Sequence, residues 1–174
     1  MGRDKALLEI ERETLVRRSA RLLESLFEKV IVVTNRADVA KAAQLASVAD
    51  SHESKGPLAG IEAALDCLQA PAFIVACDLP FLNAGLIRHQ CQAWRPELDV
   101  LVAQSEDGIE PLHAVWSPSS LEVVSSYLQA ERPPSLRRVL GDLNTATVSI
   151  QEARRFDAEL RCFHNWNTPD DVKL

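Results

Sequence analysis

Two short runs constrain the fold more than any other feature of the chain: Lys29-Val-Ile-Val-Val-Thr34 and Ala72-Phe-Ile-Val-Ala-Cys77. The first does not alternate apolar with polar residues, so it reads as a strand buried on both faces. The second is a further apolar strand, stopped abruptly by Asp78-Leu-Pro80. Helical patterns surround them. Leu15, Val16, Leu22, Leu23, Leu26 and Phe27 share one helical face, and Arg17, Arg18, Arg21 and Glu24 the other. Pro57 suits the first position of a helix running to Leu68. Further helices are expected over 37–45, 86–94, 121–128 and 136–143, and shorter strands over 48–50, 99–104, 112–116 and 146–150. Glu106-Asp-Gly108 is a turn, because Asp-Gly favours positive φ, and it would join 99–104 to 112–116 as a hairpin. Irregular chain and a short helix after Thr168-Pro169 would close the sequence.

Strands alternating with helices imply an α/β fold, with a mainly parallel sheet covered on both faces. Ligands of such sheets bind beyond the carboxyl ends of the strands. With no internal repeat and no linker, residues 1–174 are expected to form one domain.

Composition narrows the function. A formal net charge of −6 argues against a general nucleic-acid binder, which needs a basic stripe to displace counterions. It leaves a nucleotide substrate open, since one lysine and one divalent cation can manage a triphosphate locally. No run approaches the ~20 apolar residues that span a bilayer, and the first residues lack the pattern of a secretory signal. Cys67, Cys77, Cys91 and Cys162 form no C-x-x-C pair; each is expected to be a small apolar residue of a reduced, cytoplasmic protein.

Asp78 is the sharpest chemical candidate. It sits where an apolar strand must end, and a carboxylate there suits Mg²⁺ bridged to a triphosphate; it would equally suit a helix N-cap. Lys5 reads as a solvated lysine or as a cation on that triphosphate. Gly56-Pro-Leu-Ala-Gly60 opens a helix whose N–H groups could meet a base edge or an anion, or simply start the helix. Asn35 and Asp50 end strands and could read a base or ribose, or serve only as caps. His113 is expected to be packed rather than catalytic. Asn165 and Asn167 could face a ligand or form a turn.

Six segments in order carry a resemblance: Met1-Gly2-Arg3-Asp4-Lys5-Ala6-Leu7-Leu8, Thr34-Asn35-Arg36, Gly56-Pro57-Leu58-Ala59-Gly60, Cys77-Asp78-Leu79-Pro80-Phe81, Pro111-Leu112-His113-Ala114-Val115-Trp116 and Asn165-Trp166-Asn167-Thr168-Pro169. Together the chain resembles the MobA-type molybdenum cofactor guanylyltransferases nearly end to end. That resemblance implies a Rossmann-like nucleotidyltransferase fold, three-layer α/β/α with a mainly parallel sheet. It implies transfer of GMP from GTP to molybdopterin, or its molybdenum-loaded form, with release of pyrophosphate. By the same similarity Lys5 would bind triphosphate and Asp78 would hold Mg²⁺. Asn35, Asp50 and the Gly56, Pro57, Leu58 and Gly60 turn would recognise guanosine, and Asn165 and Asn167 would lie towards the pterin. Other cofactor-biosynthesis proteins and acceptor molybdoenzymes are the implied partners, with neither nucleic acid nor membrane.

The family pattern opens with a buried strand and a Gly-Gly turn before the Met-Gly that stands first here. An N-terminally truncated domain is therefore expected, with a slot between two strands and unpaired backbone on both sides. Two alternatives stay open. A molybdopterin cytidylyltransferase is disfavoured by Asp78-Leu79-Pro80 and Glu110-Pro111-Leu112. An inactive remnant that binds cofactor without transferring a nucleotide is favoured by the absent phosphate turn.

Overall fold

The computed structural model describes residues 5–50, 52 and 55–166. A 3-10 turn at Lys5–Leu7 leads into a small ribbon, β1 (Glu9–Ile10) and β2 (Glu13–Thr14), and then α1 (Leu15–Glu24), where the Thr14 hydroxyl accepts from the Arg17 N–H. There follow β3 (Ile31–Val33), α2 (Ala37–Ala43), β4 (Ala46–Val48), α3 (Pro57–Leu68), β5 (Ala72–Val75) and α4 (Ala84–Ala93). The hairpin β6 (Val100–Ser105) and β7 (Gly108–Trp116) precedes α5 (Leu121–Leu128), α6 (Leu136–Leu140), β8 (Thr145–Val148) and α7 (Ile150–Arg154). Gly108 takes φ 113° at the hairpin tip, as the Asp-Gly pair requires.

The larger sheet has the order β5-β7-β6-β8. Strand β7 lies antiparallel between β5 and β6, while β8 runs parallel to β6. The hairpin therefore makes an otherwise parallel arrangement mixed. Period-two alternation sends the strand side chains to two cores. Val100, Val102, Ala114 and Trp116 meet Leu58, Ile61 and Leu65 of α3, Val124 of α5 and Val139 of α6. Leu101, Ala103 and Val115 meet Leu86 of α4, Ala153 of α7, Cys162 and Phe163. The layers are α/β/α.

Strands β3 and β4 form a separate parallel pair. Between β3 and β5 lies a cavity of about 680 Å³, running from Phe27 and Pro71 to Lys5 and Asp78. Helix α3 spans it and touches both strands. Phe27 and Phe73 stack near the amino ends of β3 and β5, with ring centroids 6.2 Å apart. This cavity, the slot, corrects one expectation: the 29–34 run is not buried on both faces. Its three-residue strand is half-buried, because among the described residues only β4 pairs with it.

Other differences are local. Ser149 and Glu152 form a reciprocal capping box that turns expected irregular chain into α7. Helix α6 ends at Leu140 rather than 143. Cys162 is buried and Cys91 half-buried, but Cys67 and Cys77 are exposed and so are not core residues. Burial pushes the Cys91 thiol up to about 11 and, with Asp157 nearby, the Cys162 thiol up to about 12, so neither is a ready nucleophile. The expected helix after Thr168-Pro169 lies outside the described residues.

Candidate active site

Lys5 and Asp78 meet at the carboxyl end of the slot. Lys5 Nζ and Asp78 Oδ2 are 3.7 Å apart, with the lysine side chain 46% exposed and the aspartate 20%. An ion pair this exposed adds little to stability, so its placement has no strong structural reason. Asp78 is not a helix cap: α4 is capped by Asn83, whose side chain accepts from the Leu86 N–H.

Four contacts hold the Asp78–Phe81 turn. Trp166 N–H donates to the Asp78 carbonyl at 3.0 Å. Arg18 Nε of α1 donates to the Pro80 carbonyl at 3.1 Å. The Trp166 and Phe81 rings meet edge to face at 5.7 Å, and the Arg161 guanidinium lies 4.6 Å over Phe81. Trp166 is buried with Leu8 and Leu15, so the last described residue is packed against the first segment and the turn between them. Trp166 appears in the sequence motif, but nothing in the pattern marks it as the clamp.

The expected nucleoside residues gather at the ends of β3, β4 and the start of α3. Asn35 does not cap α2, since Arg36 holds that position; its Nδ2 donates to the Asp50 carbonyl at 3.4 Å. Asp50 Oδ1 is buried without a hydrogen-bond partner among the described residues, a costly state that a donor on a ligand would relieve. Gly56 stands at the N-cap with φ 69° and no side-chain cap; Pro57 has no N–H, and the Ala59 N–H donates to the Gly56 carbonyl at 3.2 Å. A Cβ there would meet nothing within 4 Å, so backbone angle, not space, calls for glycine. Pro57 and Gly60 line the slot mouth, while Leu58 is core.

His52 and Lys55, between Asp50 and Gly56, make contacts that have no signal in the sequence. Glu62 of α3 lies 3.0 Å from His52 Nε2 and accepts from Ser125 of α5 at 2.6 Å. Lys55 Nζ donates to the carbonyls of Ala130 and Glu131. Such pairs depend on tertiary packing and leave no local signature.

Asp78 also lines a second hollow of about 350 Å³, shared with Glu110, Pro111, Ser135, Arg137 and Asn165. Asn165 therefore reaches the far side of Asp78, away from the nucleoside residues; Asn167 lies outside the described residues. Burial raises the Glu110 carboxyl above the usual carboxylate range, and the Ser105 hydroxyl, donating at 2.5 Å, opposes that. In the sequence Glu110 counted only as part of Glu110-Pro111-Leu112, against a cytidylyltransferase; Ser135 and Arg137 carried no signal. His113 is fully buried between Phe73 and Phe163, with its Nδ1 3.0 Å from Gln90 Oε1, and so is the packed residue expected.

A three-layer α/β/α fold with a lysine and a strand-end aspartate meeting at the sheet edge is the arrangement of a nucleotidyltransferase, and comparison with known proteins agrees. Residues 1–148 match the MobA-like NTP transferase domain, and the chain belongs to that family. It is 34% identical over 176 residues to the molybdenum cofactor guanylyltransferase of Syntrophotalea carbinolica, covering 99% of this chain and 83% of that one. The crystal structure of molybdopterin-guanine dinucleotide biosynthesis protein A from Archaeoglobus fulgidus superposes with a TM-score of 0.84 at 25% identity, covering 99% of this chain and 88% of that one. A Mycobacterium tuberculosis H37Rv protein, solved as a complex with manganese, shares the fold with a TM-score of 0.63 at 15% identity, over 89% and 92% of the two chains. Among the described residues no helix is long and apolar enough to cross a membrane.

Proposed function

We propose that the chain is a single cytoplasmic nucleotidyltransferase domain that transfers GMP from GTP to molybdopterin, or its molybdenum-loaded form, and releases pyrophosphate. The observation that carries this reading is the convergence of Lys5 and Asp78 between the nucleoside residues and the second hollow.

In this reading Asn35 and Asp50 present an amide and a carboxylate to guanine, with the α3 N-terminus beside them. The base edge has adjacent N–H donors, which answer the orphaned Asp50 Oδ1. Lys5 holds the triphosphate and disperses the charge that grows as pyrophosphate leaves. The acceptor phosphate enters from the Asn165 side and attacks the α-phosphorus. It is already anionic, so no general base is required and alignment and charge neutralisation suffice.

Asp78 would hold Mg²⁺. One hard carboxylate oxygen at a half-open site fits that ion, which keeps several waters and takes its remaining ligands from substrate phosphates; no group of three or more His, Cys, Asp or Glu side chains forms a closed metal cage among the described residues. When bound, the ion supplies neutralisation of the triphosphate.

Asp78→Asn keeps the size of the side chain and removes its charge. It is expected to lower metal-dependent GMP transfer by on the order of 10²-fold or more, with the melting temperature unchanged. Turnover like that of the parent chain would sink the metal assignment. A second reading, a protein that binds without transferring, is favoured by the slot that opens directly onto Lys5 and Asp78; absence of any GMP incorporation by the unaltered chain, with GTP binding retained, would select it.

A further inference from the structure

We infer that Glu110 recognises a 2-amino-4-oxopyrimidine edge, that of the pterin acceptor, in the hollow on the far side of Asp78. The inference rests on the guanylyl-transfer reading and adds a specificity residue to it.

The argument begins with the carboxylate. Glu110 lies at the start of β7, half-buried, where β7 pairs with β6 through Ala103↔Glu110. Its Oε1 accepts from Ser105 Oγ, while its Oε2 accepts no hydrogen bond among the described residues. The nearest cation, Arg137, donates instead to the Asp107 carbonyl at 2.9 Å and acts on Glu110 only through space. The carboxylate is half-buried and keeps Oε2 open to solvent, where a donor on a ligand can reach it.

The hollow defines what could answer it. Pro111 and Leu112 supply an apolar flank, and Asp78 and Asn165 line the same space. A planar heterocycle with two neighbouring N–H donors fits a carboxylate with two acceptor oxygens, the pairing that makes bidentate recognition strong. The 2-amino-4-oxopyrimidine edge has those donors: a ring N–H beside an exocyclic amine.

Guanine and pterin share this edge, and position separates them. Asn35, Asp50 and Gly56 gather at the ends of β3 and β4 and the start of α3, whereas Glu110 and Asn165 line the other hollow. Asp78 lines both cavities. In-line transfer sets the attacking acceptor phosphate opposite the departing pyrophosphate, and Lys5, which would hold that pyrophosphate, lines the first cavity and not the second hollow. The pterin falls on the Glu110 side.

The test uses the whole chain with two probes, pterin (2-amino-4-oxopteridine) and lumazine, in which a carbonyl replaces the amine and would face the carboxylate. Fluorescence titration is expected to show pterin binding at least about tenfold more tightly than lumazine, because the lumazine carbonyl would set an oxygen against the carboxylate in place of a donor. Glu110→Gln keeps an acceptor for Ser105 and nearly the same volume; it should bring the ratio close to one, leave the KM for GTP within about twofold and leave the melting temperature unchanged. Equal binding of the two probes, binding of neither, or an unchanged ratio in Glu110→Gln overturns the inference. A raised KM for GTP with pterin selectivity intact would assign Glu110 to guanine and overturn it equally. Because binding needs no transfer, an enzyme that selects pterin over lumazine yet incorporates no GMP would refute the function and not this site.

Discussion

At the scale of single residues, the turn carrying Asp78 is positioned by side chains that do no chemistry. Trp166 donates to the Asp78 carbonyl, packs on Phe81 and is only 4% exposed. Trp166→Ala removes the ring contact and loosens the chain that carries the N–H donor. It is expected to cost about 3 kcal/mol of stability, read by urea denaturation, and to lower kcat more than it raises the KM for GTP. A loss of stability without a loss of kcat would mean the turn holds its shape unaided. Asp78 was legible in the sequence because an apolar run stops abruptly at a carboxylate. Trp166 was legible only as part of a motif, since a residue that acts through a backbone N–H and a ring edge has no pattern of its own. Glu62 was not legible at all: its partners His52 and Ser125 come from a loop and from α5.

At the scale of elements, runs of apolar residues located nearly every helix and strand, and local chemistry decided where they stop. Helices α2 and α3 end with Gln44 and Gln69 in the left-handed region, at φ 56° and 51°, where glycine would have announced the end. The β1–β2 tip uses Glu11 and Arg12 at positive φ, so a ribbon forms without the usual Asn-Gly signal. The slot edge gives the testable consequence. Hydrogen exchange at amides of 30–33 and 72–75 that point into the cavity is expected to run at least about tenfold faster than at β6 amides paired on both sides, because opening there requires little unfolding. Equal protection would show that β3 and β5 close against each other in solution. The hairpin has the opposite character: β6 lies between β7 and β8 and most of it is buried, and Glu110 of β7 pairs with its Ala103 beside a register shift.

At the scale of the whole molecule, the mixed sheet holds one feature that reports on global stability. His113 is fully buried, and burial lowers its pKa from 6.5 to about 4. The unfolded chain therefore takes up a proton at a pH where the folded chain does not. This contribution is complete above pH 6.5 and is lost as pH falls towards 4, up to about 3 kcal/mol. Urea midpoints measured between pH 7.5 and 4.5 should fall, and His113→Phe should flatten the slope even though it removes the imidazole partner of Gln90 Oε1 and lowers stability at neutral pH. An unchanged slope in that variant would place the acid sensitivity elsewhere. Competition between nucleotides reads out the base that the site accepts. With molybdopterin as acceptor and equal GTP and CTP, each labelled on the α-phosphate, the guanine dinucleotide is expected to predominate. Equal incorporation of the two bases, or preference for cytosine, would contradict it.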